Sequence, residues 1–267
     1  MALLIKIFNR LEYLRTRRYL NIIKTLYINL RYLSLGEALK CPIYVYSGVR
    51  LCRNTGRIVF NKGIRRGMLK IGLPNSNYGA PRKIAKTVLN NEGLIVVSGR
   101  NVKVANGAEL NILPSGTLKL GSDVFIGECV RVVCANYIEL NSNVRIAYES
   151  QVIDSNFHYI FDEEKCIIPN CCGSIEIASN NWIGNRSNIN KGTKTAPNQI
   201  FSAGSLLNKD YTHFGEGCVF VGTPARLLRN GLYGIFDIKF ERKVRNYYGS
   251  HDKVYMLDEN EIKNFKK

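Results

Sequence analysis

The chain has 267 residues, of which 45% are hydrophobic and 22% charged, a composition typical of a folded protein that excludes a disordered one. The net charge of +17 attracts polyanions: nucleic acid, an anionic membrane surface or a phosphate-rich small molecule. The eight cysteines form no C-x-x-C pair and have no histidine near enough to complete a zinc site, so no metal is expected. No secretory leader is apparent, which predicts free thiols in a reducing cytoplasm.

Residues 1–40 are predicted to form a basic helical segment. Apolar residues recur at helical spacing through Leu20, Ile23 and Leu30, and neither Gly nor Pro occurs before Gly36. Within residues 1–33, seven basic residues oppose one acid, Glu12. Two interpretations stay open: residues 1–33 lie on the inner face of an anionic membrane as a peripheral contact, or the helix packs on its own domain and presents a charged face to solvent.

From Cys41 to Ile71 the sequence becomes rich in β-forming residues and turns. Residues 74–93 contain Pro74, Pro81 and Gly93 and are predicted to be a surface excursion.

A six-residue period then dominates. One run has a single non-apolar member, Pro114; its members are Val96, Val102, Ala108, Pro114, Leu120, Ile126, Val132, Ile138 and Val144. A second run keeps the step but is shifted in phase by three: Ile177, Ile183, Ile189, Thr195, Phe201 and Leu207. The shift requires residues between about 156 and 176 to be extruded as a loop.

This period predicts a parallel β-helix. Three six-residue strands make one triangular turn, each rung stacks on the rung three repeats later, and the aliphatic side chains fill a continuous core. We expect this domain over residues 41–230, with the loop near 156–176 and a C-terminal extension over 231–267. A short helix is expected after Asp258, which would be its N-cap.

Four segments occur in the order found in the hexapeptide-repeat acetyltransferases. Residues 152–160 (VIDSNFHYI) resemble the catalytic segment of that family. Residues 181–184 (NWIG) and 203–210 (AGSLLNKD) resemble later repeats, and 221–226 (VGTPAR) resembles the usual exit from the solenoid. The similarity covers residues 94–230 and is strongest to O-acetyltransferases of surface-polysaccharide biosynthesis.

The resemblance implies a left-handed β-helix that uses acetyl-CoA, assembles as a homotrimer with active sites between neighbouring subunits, and acetylates a sugar hydroxyl, on an acceptor that a lipid could carry. It also implies that His158 is the general base, since imidazole titrates near neutrality and can remove the hydroxyl proton. Asp154 and Asp162 are the nearby carboxylates that could orient His158, although a backbone carbonyl would serve equally. Asn156, Asp154 and Trp182 are predicted to bind substrate.

Coenzyme A needs an uncovered backbone for its pantetheine arm and cations for its phosphates. By resemblance, the arm lies along Gly184, Ser202, Ala203 and Gly204, and the cations are Lys209, Arg226 and Arg229. Thr195 and Phe201 depart from the isoleucine usual at those rungs.

Three other functions would use a similar scaffold or fit the net charge. An N-acetyltransferase of an amino sugar would use the same scaffold. A hexapeptide-repeat carbonic anhydrase needs three histidines on a metal, whereas the chain has three in all, two of them beyond the repeats or near their end. A non-catalytic basic solenoid that binds a polyanion or a membrane fits the net charge, but no nucleic-acid recognition motif is present.

Overall fold

The chain winds as a prism of three parallel β-sheets. The computed structural model describes residues 19–74 and 86–265. Successive strands enter the three sheets in turn and then repeat, so each coil lies beside the one before it. A mainly β fold with a parallel β-helix of short repeats is therefore confirmed.

The strands fall into a nine-stranded, a seven-stranded and a five-stranded sheet. The nine-stranded sheet contains β1 Ile43–Val45, β4 Leu69–Leu73, β7 Val102–Ala105, β10 Phe125–Ile126, β13 Arg145–Ile146, β16 Trp182–Ile183, β18 Ile200–Phe201, β20 Val219–Val221 and β21 Arg226–Arg229. The seven-stranded sheet contains β2 Val49–Leu51, β5 Thr87–Asn91, β8 Glu109–Ile112, β11 Arg131–Cys134, β14 Gln151–Ile153, β17 Asn188–Asn190 and β19 Leu206–Leu207. The five-stranded sheet contains β3 Arg57–Phe60, β6 Leu94–Val97, β9 Thr117–Leu120, β12 Tyr137–Leu140 and β15 Ile175–Ile177.

The three edges of the prism are named here by the sheets they join. The first corner leads from the nine- to the seven-stranded sheet, the second from the seven- to the five-stranded sheet, and the third back to the nine-stranded sheet. The solenoid begins at β1, near residue 41 where the domain was expected to begin and well before Val96, the first member of the predicted hexapeptide run. Predicted surface residues 87–91 form β5, whereas residues 75–85 lie outside the described residues.

The predicted coil length of three hexapeptides is wrong for most of the solenoid. Phe125 lies beside Lys103 on one side and Arg145 on the other, so both of these coils are longer than three repeats. Three repeats fit only near the end, where Trp182 lies beside Ile200. The extra residues lie at the corners of the prism. Pro114, the non-apolar member of the first run, is one of these corner residues and is exposed.

The core is a column of inward side chains. Except for Pro114, every member of both predicted runs is buried. At the C-terminal end the aliphatic column gives way to aromatic rings: Phe201 stacks on Phe220 with 4.9 Å between centroids and meets Tyr211 edge-on at 5.1 Å. Phe201 therefore closes the core rather than disturbing it, because aromatic pairs favour these geometries.

A helix, α1 Ile22–Tyr32, covers the free edge of β1, and a short α2 Leu35–Ala38 follows it. Asn29 donates to the Ile43 carbonyl (2.7 Å) and accepts from the Ile43 amide (3.1 Å). Thr25 accepts from the Val45 amide (3.0 Å). Polar side chains thus satisfy an unpaired strand edge, which would otherwise invite association. Residues 1–18 of the predicted helical segment lie outside the described residues.

Beyond the last coil, β21 turns back antiparallel to β20. Helices α3 Ile238–Tyr248 and α4 Glu259–Phe265 follow. The predicted N-cap is confirmed, since Asp258 accepts from the amides of Asn260 and Glu261 (both 2.9 Å). Over the described ranges, every helix is too short or too polar to span a bilayer.

Candidate active site

A hairpin leaves the solenoid at the second corner, between Ile153 and Ile175. It therefore begins and ends two residues before the predicted loop. Because of this insertion, residues stacked on successive coils of the seven-stranded sheet are 37 residues apart, as for Gln151 and Asn188. Antiparallel bridges at Ser155–Cys172 and Asp162–Ile167 order the hairpin.

The neck of this hairpin carries His158. Both Asn156 and His158 are exposed, and His158 is the only histidine before residue 213. The preceding residue, Phe157, has a φ of 59°, and its amide donates to the Ser155 hydroxyl (3.0 Å). A left-handed aromatic residue is conformationally costly, and such costs concentrate at functional sites.

Asp154 does not meet the expectation of a substrate-binding residue. Its side chain is fully buried, and its two carboxylate oxygens accept from the amides of Ala135 (2.7 Å) and Asn136 (2.8 Å). Burial, followed by the charge of Asp154, raises the pKa of the neighbouring Cys134 thiol. Asp154 therefore fastens the base of the hairpin to the preceding coil and is unavailable to an acceptor.

Neither nearby carboxylate orients His158. Asp154 is occupied as described, and Asp162 accepts from the Lys165 amide (3.0 Å) across the hairpin turn. The hairpin is also anchored from the next coil, where the Lys191 ammonium donates to the Asn170 carbonyl (2.9 Å).

A pair of thiols on the returning arm of the hairpin was not anticipated from the sequence. The sulfur atoms of Cys171 and Cys172 lie 3.8 Å apart, and the Cys172 thiol donates to the Ser155 hydroxyl (3.3 Å). Burial raises the pKa of Cys171, but hydrogen bonds from Cys172, Ser155 and Tyr159 outweigh it, so that pKa falls below its ordinary value. The hairpin pairing that joins these residues is a tertiary feature with no sequence signal.

The residues predicted to hold the pantetheine arm stack at the first corner. A Cβ added to Gly184 would lie 2.4 Å from the Ala203 nitrogen, so the backbone of the next coil occupies the space that was predicted to hold the ligand. Gly204, with a φ of 73°, has no neighbour within 4 Å of such an atom. Gly204 is thus the open position, while Gly184 is required by coil packing.

Most amides of this corner are already engaged. Those of Gly184, Ser202 and Gly204 donate to carbonyls of the solenoid at 2.7, 2.8 and 2.9 Å. No acceptor for the Ala203 amide is found among residues 19–74 and 86–265. The Ala203 amide is therefore a candidate donor to a bound ligand, as is the amide of Asn185 at the equivalent position one coil earlier.

The predicted phosphate-binding cations divide between two places. Arg226 immediately follows the first corner and begins β21, with Arg229 at the other end of that strand. Lys209 follows β19 at the second corner, where its ammonium lies 5.4 Å from the Tyr211 ring centroid. All three are exposed.

Trp182 lies on the outer face of the nine-stranded sheet and is 49% exposed. It neighbours Arg145 on one side and Ile200 on the other. Lys103 and Arg145 lie on the same face and were not among the residues predicted from the sequence. Each directly precedes an inward-facing residue of its coil, so counting from those inward residues would have placed both on the outer face.

Within one chain the predicted residues therefore form two groups. His158 and Asn156 lie at the second corner, and the first-corner residues lie across the seven-stranded sheet. Glu149 and Asp154 lie at these two corners, five residue steps apart, which spans at most about 17 Å of extended backbone. No group of three histidine, cysteine or acidic side chains suited to a metal occurs in the described part of the chain.

Comparison with known proteins gives matches among solved structures alone. No family model matches the sequence, and neither does a curated protein. The polySia-specific acetyltransferase NeuO aligns over 79% of this chain and 84% of its own, with 16% identity and a TM-score of 0.49. A hexapeptide-repeat acetyltransferase of Vibrio cholerae, with acetyl coenzyme A bound, aligns over 50% and 70%, with 23% identity and a TM-score of 0.42.

The N-acyltransferase AntD of Bacillus cereus aligns over 77% of this chain and 88% of its own, with 11% identity and a TM-score of 0.43. That structure holds dTDP-4-amino-4,6-dideoxyglucose and coenzyme A. These three matched structures are all acyltransferases.

Proposed function

We propose that this chain is an acetyl-CoA-dependent O-acetyltransferase that acetylates a sugar hydroxyl in surface-polysaccharide biosynthesis, with His158 as general base. The observation that carries the proposal is the neck of the hairpin at the second corner. An exposed histidine follows a left-handed Phe157 there, in a segment that resembles the catalytic segment of the hexapeptide-repeat acetyltransferases.

In the proposed reaction, the acceptor oxygen attacks the thioester carbonyl carbon as its proton passes to His158. The carbon–sulfur bond breaks, and His158 returns the proton to the departing thiolate. Acetyl-CoA supplies the acetyl group. In this proposal Asn156 contacts the acceptor and the Ala203 amide stabilises charge on the carbonyl oxygen. Arg226, Arg229 and Lys209 are assigned to the phosphates. Direct transfer needs no acyl-enzyme.

A homotrimer would unite the two groups of residues, since the hairpin of one subunit would meet the first corner of its neighbour. The test mixes two inactive chains, His158→Ala and Gly204→Trp, the second of which blocks the open corner. If the site lies between subunits, random mixing restores activity at about a quarter of the sites. Mixtures as inactive as their components would contradict a shared site.

The activity itself is tested by coenzyme A release from acetyl-CoA with a panel of glycans and amino sugars. We expect release that depends on the acceptor, with an alkali-labile ester product. An alkali-stable amide would instead establish the alternative, an N-acetyltransferase. Absence of release with every acceptor would favour a non-catalytic basic solenoid.

Peripheral attachment to the inner face of the membrane is the second part of the proposal. Because α1 turns Thr25, Ile28 and Asn29 toward the solenoid, five other apolar residues face outward. Each of them is at least half exposed: Ile22, Ile23, Leu26, Tyr27 and Leu30. Residues 19–74 also contain ten basic residues and one acid. An apolar helix face within a basic region suits an anionic lipid surface, and a lipid-carried acceptor would be met there.

Co-sedimentation with phosphatidylcholine vesicles, with and without phosphatidylglycerol, tests this attachment. Ile23→Asp should abolish binding to the anionic vesicles. Met256→Asp is the matched control, because Ile23 and Met256 are both 81% exposed. Equal binding by the two variants would exclude α1 as the contact.

A further inference from the structure

One row of side chains on the outer face of the nine-stranded sheet differs from its counterparts elsewhere. Six neighbouring strands place these residues in direct register: Tyr44, Lys70, Lys103, Phe125, Arg145 and Trp182. We call this the cation–aromatic row. It contains three cations, three aromatic rings and no carboxylate, and five strand spacings give it a length of about 24 Å.

Most of the corresponding charges on the other two sheets are paired with a carboxylate. On the seven-stranded sheet Arg131 pairs with Glu109 at 3.1 Å. On the five-stranded sheet Lys119 pairs with Glu139 at 3.7 Å and Lys194 with Glu176 at 3.0 Å. Within the described ranges, Lys70, Lys103 and Arg145 have no such carboxylate partner.

The three cations are close enough to repel one another. Burial, then the charge of Lys70, and to a smaller extent that of Arg145, lower the pKa of Lys103, opposed by Asp123 at the adjacent corner. Asp123 offsets this repulsion only in part, and half-buried cations that repel one another are destabilising unless a further anion joins them.

Arg145 is fixed in place between aromatic neighbours. Its guanidinium lies 4.7 Å from the Phe236 ring centroid and donates to the Phe236 carbonyl (3.3 Å). Phe125 and Trp182 occupy the adjoining strands. A guanidinium restrained in this way binds a carboxylate with little further loss of entropy, while flat rings on either side suit the C–H faces of sugar units.

We propose that the cation–aromatic row binds an acidic glycan, a sugar chain bearing carboxylates, and presents it as the acceptor. That the bound glycan is the acceptor rests on the proposed function. The length of the row suits a polymer rather than a single sugar. Duplex DNA carries a charge about every 1.7 Å along its axis, much denser than three cations over about 14 Å, so nucleic acid is the poorer fit.

The test measures binding of a fluorescent polygalacturonate oligosaccharide by anisotropy, without acetyl-CoA and near physiological salt. Lys103→Gln and Arg145→Gln should each weaken binding by about tenfold, and Trp182→Ala by a similar factor. Lys119→Gln and Arg131→Gln, which remove paired cations from the other sheets, should leave it unchanged. A neutral dextran of equal length should not compete.

Four results would overturn the inference. Equal losses in the control variants would mean that only the overall charge attracts the glycan. Stronger competition by polyphosphate or single-stranded DNA would make the row a general polyanion site. An altered oligomeric state of Arg145→Gln in sedimentation would make this face a subunit interface. Unchanged binding in all three row variants would remove the site.

Binding and catalysis fail separately in this design. Glycan binding without acetyl transfer would refute the proposed function and keep the row as a binding site. Transfer to neutral glycans, with no binding of the acidic one, would keep the enzyme and refute the row.

Discussion

Replacing Asp154 distinguishes a structural role from a role in substrate binding. In Asp154→Ala the amides of Ala135 and Asn136 lose their acceptors inside the protein. An unsatisfied donor that is fully buried costs about 1–3 kcal/mol, and these two bonds are part-buried, so the free energy of unfolding should fall by at most about 2–6 kcal/mol. For a chain of this size that corresponds to a fall in Tm of roughly 5–20 °C.

The assay is thermal unfolding at one protein concentration and one scan rate, since assembly and irreversibility both move Tm. Asp154→Asn keeps one acceptor oxygen and should lie between wild type and Asp154→Ala. Asp162→Ala is the matched control from the same hairpin: its side chain is 33% exposed, so Tm should change by only a few degrees at most.

Kinetic measurements can refute the structural role of Asp154. If Asp154 fastens the hairpin, Asp154→Asn should lower Tm while the KM for the acceptor stays near that of wild type. A variant with an unchanged Tm and a strongly raised acceptor KM would show that Asp154 binds substrate and that the structural account is wrong.

Three further predictions concern the solenoid and are read from Tm. Gly184→Ala should lower Tm more than Gly204→Ala, because the new Cβ at position 184 would lie 2.4 Å from the Ala203 backbone. At position 204 the only cost is that alanine disfavours a φ of 73°, by about 1 kcal/mol. Equal falls in Tm would contradict this packing. Phe201→Ala should cost about 3–5 kcal/mol and Phe201→Ile clearly less, and a neutral Phe201→Ala would mean that the aromatic end of the core is not closed. Burial raises the pKa of Glu128, so its ionised form destabilises the fold at pH 7 and this penalty disappears as pH falls through that raised pKa. Glu128→Gln should therefore raise Tm at pH 7 and lose its advantage in acid; an advantage that persists at low pH would refute the assignment.

The buried rungs could be predicted because an inward position in a narrow prism accepts only apolar or small side chains. Coil length could not, since residues added at a corner leave the strands unchanged. This error concealed the cation–aromatic row: a coil of three hexapeptides places Lys103 beside Gly121, whereas its neighbour in the sheet is Phe125.

The candidate site was predictable to a similar extent. His158 could be singled out by its motif and by the phase break, and the hairpin lies within two residues of the expected loop. The burial of Asp154 could not be predicted, because its partners are backbone amides 18 and 19 residues earlier and no pattern of side chains identifies them. The filled space at Gly184 was likewise hidden, because a glycine serves close coil packing and ligand approach equally well.

The central claim is that His158 is the base of an acetyl transfer. The most direct measurement compares kcat for acetyl transfer in wild type, His158→Ala and the control His213→Ala, an exposed histidine between β19 and β20. Loss of a general base should lower kcat by about 10²–10⁴-fold in His158→Ala, with the KM for acetyl-CoA unchanged and His213→Ala fully active. Equal kcat values for wild type and His158→Ala would contradict the account.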